Sequence, residues 1–269
     1  MCGGFDRGRV LTCSIPDLDD YDARVHWLTA VILGVVLMQV ATFATTVYMH
    51  RGLAHRALTV NPWVAVPLRA FLWMSTGMRP REWAAVHRRH HAALDTAEDP
   101  HSPLVLGVWR VQLTNAYLYQ RAVRDREQID RYARDITPDA WDRWFFDHDI
   151  LGPLLGIALL CLVFGWETGL LAAAIHLFLY VAFNGMVNSF AHTVGRRPYE
   201  NSGTNLRVLA VITMGEGLHN THHALPTSAR LSFSRGEVDL GWQGIRLLQR
   251  LKLAKVRHED PSKLLERVG

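Results

Sequence analysis

Histidine is the residue type in this chain that demands a chemical explanation. Fourteen of the 269 residues are His, and eight of them fall into short, repeated spacings. His50 and His55 form H-x4-H in HRGLAH. His87, His90 and His91 form H-x2-H-H in HRRHH, and His219, His222 and His223 repeat that pattern in HNTHH, while His192 stands alone at the end of VNSFAH. In an α-helix, positions i, i+3 and i+4 share a face, so each H-x2-H-H directs three imidazoles the same way. H-x4-H turns by about 140° at ~100° per residue, and predicts a helix end where the chain bends around a metal. Neutral imidazole binds Fe, Zn, Cu and Ni. Eight His in three boxes exceed the ligands of one tetrahedral Zn, so two metals are expected. Surface His on amphipathic helices would account for one such box, but not for three with two of identical pattern.

A metal-bound His usually gives its other ring N–H to a carboxylate or a carbonyl. Asp95, Glu98, Asp99, Glu216 and Asn220 lie close to the boxes, and His101 in EDPHSP lies ten residues past the second. For each carboxylate and for Asn220, a solvated or capping role is the competing reading. Three Cys without a C-x-x-C pattern indicate neither a disulfide framework nor a thiolate metal site.

The elements that must carry these residues are apolar. Residues 27–48 contain no formal charge, and residues 150–190 contain a single acid, Glu167. About 20 helical residues cross a bilayer, so the first stretch is a span. The second divides into 150–166 and 170–190, a hairpin turning at 167–169 with no Lys or Arg, and therefore non-cytoplasmic. His176 inside the second arm is expected to be a buried His bonded to a neighbouring helix. Residues 60–78 are apolar too, but hold Pro62, Pro67 and a central Arg69. A central Arg costs roughly 2.5–3.5 kcal/mol on insertion scales.

A shared site decides the topology. The first two boxes flank residues 60–78, so that segment is predicted not to cross but to lie in the interface. The hairpin goes out and returns, which puts His192 and the third box on the same side, and the Arg-rich segments place that side in the cytoplasm. Asp17, Asp19, Asp20 and Asp22 stand where a signal peptide would have a basic region, and three spans put the N-terminus outside. The expected fold is an all-α integral membrane protein, one domain over residues 1–269. Its transmembrane helices are capped by a cytosolic helical domain (79–149 and 191–269) that holds a His-rich di-metal site. Residues 241–256 read as a basic amphipathic helix, on the membrane surface or packed on the cap.

Composition excludes other classes. At 49% hydrophobic and 20% charged the chain is not disordered. Its net charge of +4 is spread out: residues 79–149 carry 11 Arg against 12 Asp and Glu, which makes no face for nucleic acid.

Together HRGLAH, W-x3-HRRHH from Trp83, EDPHSP, VNSFAH, RRPY and GEGLHNTHH resemble, in order, the membrane fatty-acid desaturases of the stearoyl-CoA (delta-9) type, over residues 50–242. The resemblance implies two Fe2+ ions held by His50, His55, His87, His90, His91, His192, His219, His222 and His223. It implies that Asn188 holds a metal through water; Asn188 lies at i−4 from His192 and can share its helix face. Asp95, Asp99, His101 and Glu216 would support the ligands. The implied reaction uses O2 and two electrons to remove two hydrogens from an acyl chain carried on CoA, a carrier protein or a lipid. A hydroxylase or acetylenase is the alternative at the same site. A bent tunnel lined from residues 27–48 and 170–190 would choose the carbons. Arg79, Arg81 and Lys252 are candidates for a carrier's phosphates, with ordinary positive-inside anchoring as the competing reading.

Two departures stand out. Only residues 27–49 are apolar before the first box, where the family has a helical hairpin. No fused haem-binding or ferredoxin domain is present, so a separate donor such as a ferredoxin or cytochrome is expected. A non-catalytic metal or haem carrier is disfavoured because the clusters sit outside the spans. The abundance of Arg and Ala points to a bacterial inner membrane.

Overall fold

Two long apolar helices organise the molecule. The computed structural model describes residues 18–258 and 262–265, so Cys2, Cys13, Asp17 and the sidedness read from the N-terminal stretch fall outside it. Helix α1 (Leu18–Ala44) continues without a break into a π-helical turn, Thr45–Ala54. Helix α8 (Trp166–Ser189) continues into a 3-10 turn, Phe190–His192. Arg24–Ala54 and Trp166–His192, at 31 and 27 residues, are each long and apolar enough to cross a membrane.

The two helices run side by side in the same direction. His26 Nδ1 lies 3.2 Å from Thr168 Oγ1 near their beginnings, and Thr45 Oγ1 lies 2.7 Å from the Tyr180 hydroxyl near their ends. Gly34 permits the close approach between them, since a Cβ there would meet Ile175 Cγ2 at 2.7 Å. His50 and His192 are therefore delivered to the same end of the pair.

Between them in sequence come β1 (Leu58–Val60), α2 (Pro62–Thr76), α3 (Pro80–Ala92), α4 (Pro103–Leu106), α5 (Val108–Val123), α6 (Arg126–Tyr132) and α7 (Leu151–Phe164). After α8 follow α9 (Arg207–Ile212), α10 (His219–Ala224), α11 (Leu240–Arg250), β2 (Ala254–Val256) and α12 (Ser262–Leu265). The fold is thus helical with one small antiparallel sheet, Leu58 facing Val256 and Val60 facing Ala254, which the all-α expectation lacked.

Three further expectations are corrected. The hairpin turns at Gly165 (φ 84), not at 167–169; glycine alone enters that region freely. Glu167 falls instead in the first turn of α8, where the helix dipole favours an acid. The first arm, α7, has only 14 residues, about 21 Å at 1.5 Å per residue, short of a full crossing by itself. The basic helix ends at Arg250, because Lys252 takes φ 60 and the chain then pairs as β2.

Helix α2 is capped by Asn61, whose side chain accepts from Trp63 N at 3.0 Å, and is stopped by Gly77 at φ 66. Its Arg69 is buried but not alone. It pairs with Asp139 at 2.8 Å, with Asp142, and lies 4.3 Å over the Phe146 ring. His176 behaves as expected: its Nε2 lies 3.0 Å from the Ser75 carbonyl. Cys161 is a free thiol against the Trp166 carbonyl.

Candidate metal centre

The π-helical turn explains why the first box has four intervening residues. His55 N donates to His50 O at 3.1 Å, an i→i+5 bond that stacks His55 one turn beneath His50. Their rings stand 4.9 Å apart. The chain does not bend away at a helix end, as the spacing alone suggested; it widens. In α3 the second box presents its face as expected, but that face is divided between two groups. His50, His55, His87 and His222 offer ring nitrogens all within 4.8 Å of one another, and His90, His192, His219 and His223 do the same. His91 joins them, with Nε2 at 2.9 Å from His222 and its ring stacked 4.3 Å from His223. All nine predicted His are brought together.

Their nitrogens converge in a way that suits metal. The Nε2–Nε2 distances are 3.0 Å for His50–His222, 2.7 Å for His55–His87, 3.3 Å for His90–His223 and 3.0 Å for His219–His192. Two imidazoles bound to one metal at ~2.1 Å and near a right angle stand about 3.0 Å apart. Burial, and then the neighbouring imidazoles, hold His55, His87, His90, His219, His222 and His223 well below the usual histidine range. The same causes hold His91 at about 3. These rings are neutral, the form that binds metal.

Carboxylates grip the other ring nitrogen of three of them. Glu216 Oε2 lies 2.6 Å from His50 Nδ1, Asp99 Oδ2 lies 2.9 Å from His90 Nδ1, and Asp95 Oδ2 lies 3.5 Å from His192 Nδ1. Burial raises the Asp99 carboxyl to about 6. For Asp95 burial is outweighed by hydrogen bonds from His192, Ser202 and Ser102, which hold it at about 2. Burial is likewise outweighed at Glu216, by His50, Arg51 and Thr46, and its carboxyl is lowered. His101 stacks on His90 at 4.5 Å and forms a third potential group with His90 and Asp99. Glu216→Gln should loosen His50 and lower metal affinity about 10- to 100-fold, measured by iron or cobalt titration. An unchanged affinity would remove Glu216 from the centre.

Other expected residues land elsewhere. Asn188 lines the cavity next to the His, with its amide donating to Asn115 Oδ1 at 2.8 Å. Because α8 ends at Ser189 and a 3-10 turn carries His192, the two do not share one straight helix face. Asn220 is buried but organises the 199–203 loop, donating to Tyr199 O and Gly203 O. Glu98 is exposed; its carbonyl accepts from Arg89 and its amide donates to Thr96 Oγ1.

Two arginines were missed. Arg88 donates to Leu53 O and Ala54 O, at 2.7 and 2.8 Å, and to Tyr132 O and Asp135. It thereby clamps the end of the π-helical turn to α3 and fixes His55 against His87. Arg51 is 1% exposed and forms a two-pronged pair with Asp239 at 2.9 and 3.1 Å. Each lies inside a His box, and a charged residue between buried ligands was the available signal.

A cavity of about 240 Å³ leads to the centre. Val86, Leu177, Val181 and Val187 are among its apolar lining, and His50, His87, His219 and Glu216 line it as well. Thr42 of α1, Thr45 of the π-helical turn and seven residues of α8 line it, while Ala116 and Tyr119 of α5 were not foreseen. Arg79 lines it too, but is paired with Glu82 at 2.7 Å.

The model of the fatty acid desaturase family matches residues 25–236, from α1 through the third His box. The chain belongs to that family. This desaturase is 31% identical over 221 residues to delta-9 acyl-lipid desaturase 2 of Arabidopsis thaliana, covering 78% of this chain and 68% of the relative. It is 32% identical over 222 residues to an acyl-CoA C20 delta5-desaturase of Anemone leveillei (79% and 68%). It is 32% identical over 213 residues to an sn-1 stearoyl-lipid 9-desaturase of Synechocystis (78% and 65%). The desaturase is accordingly an oxidoreductase of acyl chains, and its buried His groups are compatible with a metal site.

Proposed function

We propose that the protein is a membrane-embedded di-iron desaturase that introduces a double bond at the delta-9 position of a fatty acyl chain. The observation that carries this is a cavity whose lining joins apolar residues to His50, His87 and His219 of the clustered histidines. Two irons would be held by His50, His55, His87 and His222 and by His90, His192, His219 and His223, with His91 and, through water, Asn188 as further ligands. Bound iron supplies the one-electron chemistry that an unactivated C–H bond requires, since such a bond offers nothing to a general base.

The chain's own residues do the rest. Glu216, Asp99 and Asp95 fix ring orientation and keep each Nε2 lone pair aimed at the centre. The valines and Leu177 exclude water and hold the acyl chain extended toward the histidines. Two C–H bonds of the substrate give two protons and two electrons and leave a carbon–carbon double bond; with two electrons and two protons from outside, these reduce one O2 to two waters. The outside electrons come from a separate donor, a ferredoxin or a cytochrome.

The membrane reading rests on α1 and α8, with α7 completing an outward-and-back hairpin. His55 and His87, on either side of α2 in the chain, touch. That contact supports the reading that α2 dips into one leaflet without crossing, and Arg69 keeps its acids. By the positive-inside rule the Arg-rich cap supports a centre on the cytoplasmic side, which we read as that of a bacterial inner membrane.

Expression with acyl lipids or acyl-CoA and analysis of the products tests the assignment. A monounsaturated acyl chain with the double bond at carbon 9, and about two irons per chain, is expected. A hydroxylated or triple-bonded product, or a haem or lone zinc in the purified protein, would overturn it.

A further inference from the structure

Helix α11 buries one face and leaves the other unpartnered. Ile245 and Gly241 are buried, Ile245 packs in a cluster with Val47 and Ala229, and Gly244 lies directly against the Phe43 ring of α1. The opposite face is exposed along Leu240, Gln243, Arg246, Leu247, Arg250 and Leu251, a single stripe at helical spacing. Leu247 and Leu251 are 56% and 58% exposed. The stripe is basic as well as apolar. There is no Asp or Glu between Leu240 and His258, while Arg246, Arg250, Lys252, Lys255 and Arg257 all lie there. All five are exposed, and none forms a side-chain ion pair among the described residues. The one acid at the helix start, Asp239, is consumed by Arg51 and by the N-terminal amide of Trp242.

Position gives this face its partner. Phe43 stands near the inner end of the apolar run of α1, so α11 lies where that helix leaves the hydrocarbon. At its other end Leu253 O accepts from Asn61 N at 2.8 Å, which ties the α11–β2 turn to the start of α2. There Trp63 is 86% exposed. Exposed Leu flanked by Arg and Lys, next to an exposed Trp at the start of the non-crossing helix α2, is the pattern of an interfacial helix.

We infer that α11 lies on the cytoplasmic bilayer surface, with Leu247 and Leu251 in the headgroup boundary and Arg246, Arg250, Lys252 and Lys255 on anionic lipid headgroups. The helix then holds the cap, and through Arg51–Asp239 the first His box, at a fixed height above the membrane. This rests on the membrane reading of α1 and α8.

The test reconstitutes the full chain in lipid nanodiscs of phosphatidylcholine, with and without phosphatidylglycerol, and follows amide hydrogen exchange. Residues 246–253 should exchange several-fold more slowly with phosphatidylglycerol. The double variant R246E/R250E should lose that difference while exchange in α8 and iron content stay unchanged. R246Q/R250Q, a milder pair, should lose most of it should the reversal unfold the helix. Equal exchange in both bilayers, or a difference that survives the substitutions, overturns the inference, as does protection that appears only when an acidic electron-donor protein is added. Failure of the chain to enter nanodiscs at all would instead refute the membrane reading.

Discussion

His222→Ala is expected to abolish desaturation while the protein still inserts. Its Nε2 stands 3.0 Å from that of His50 and 2.9 Å from that of His91, so one ring touches both the first box and the second. It comes from α10, which no other element of the first group supplies. Groups that merely orient a ligand change metal affinity 10- to 100-fold, so loss of the ring itself should exceed about 100-fold. Iron per chain should fall with turnover, read by metal analysis beside product chromatography. His176→Ala is the control: its ring bonds only to the Ser75 carbonyl, so it should weaken packing and leave iron content alone. Wild-type turnover in the His222 variant would show that the ring is not a ligand.

Arg51→Ala is expected to be strongly destabilising. The guanidinium is enclosed by Ala229 O at 2.8 Å, Met214 O at 3.1 Å and both oxygens of Asp239, and it lies 3.6 Å from Glu216. Asp239 in turn accepts from Leu231 N and Trp242 N at 2.9 and 2.8 Å, so one ion pair joins the π-helical turn, the 229–231 loop and the start of α11. Removing one partner strands a buried charge, which costs about 3–5 kcal/mol. The double variant Arg51→Ala/Asp239→Ala should lose less than the sum of the single losses, because neither charge is then stranded. Unfolding midpoints in detergent measure both. A single-variant loss under about 1 kcal/mol, the range of an exposed pair, would contradict the role.

The site was more legible in the sequence than the fold that holds it. Ligand chemistry is written in residue type and short spacing, so eight His and three nearby carboxylates could be named from the boxes, and the family resemblance added His192. What spacing cannot express is how one face divides: His87 and His90 belong to different groups because α3 passes between them, which depends on where α10 and His192 arrive. Arg88 and Arg51 were hidden for a related reason. Their partners, Asp135 and Asp239, lie 47 and 188 residues away. Hydropathy located α1 and α8 but misplaced the hairpin turn by two residues, since it weighs Gly165 as neutral and ignores its φ. The end of α11 was missed because Leu253, Ala254 and Val256 continue an apolar pattern that the β1 pairing, not the local sequence, recruits into a strand.

The π-helical turn also changes what can happen to this gene segment. Such a turn is an ordinary helix with one residue too many, and here the surplus residue is what brings His55 under His50. A one-codon deletion within residues 45–54 would let the backbone relax to the commoner helix and swing His55 round by about 100°. Both histidines would survive with their neighbours intact, yet the first box would no longer close. Chain length between the ligands is therefore as constrained as their identity, and the segment can drift by substitution but not by insertion or loss.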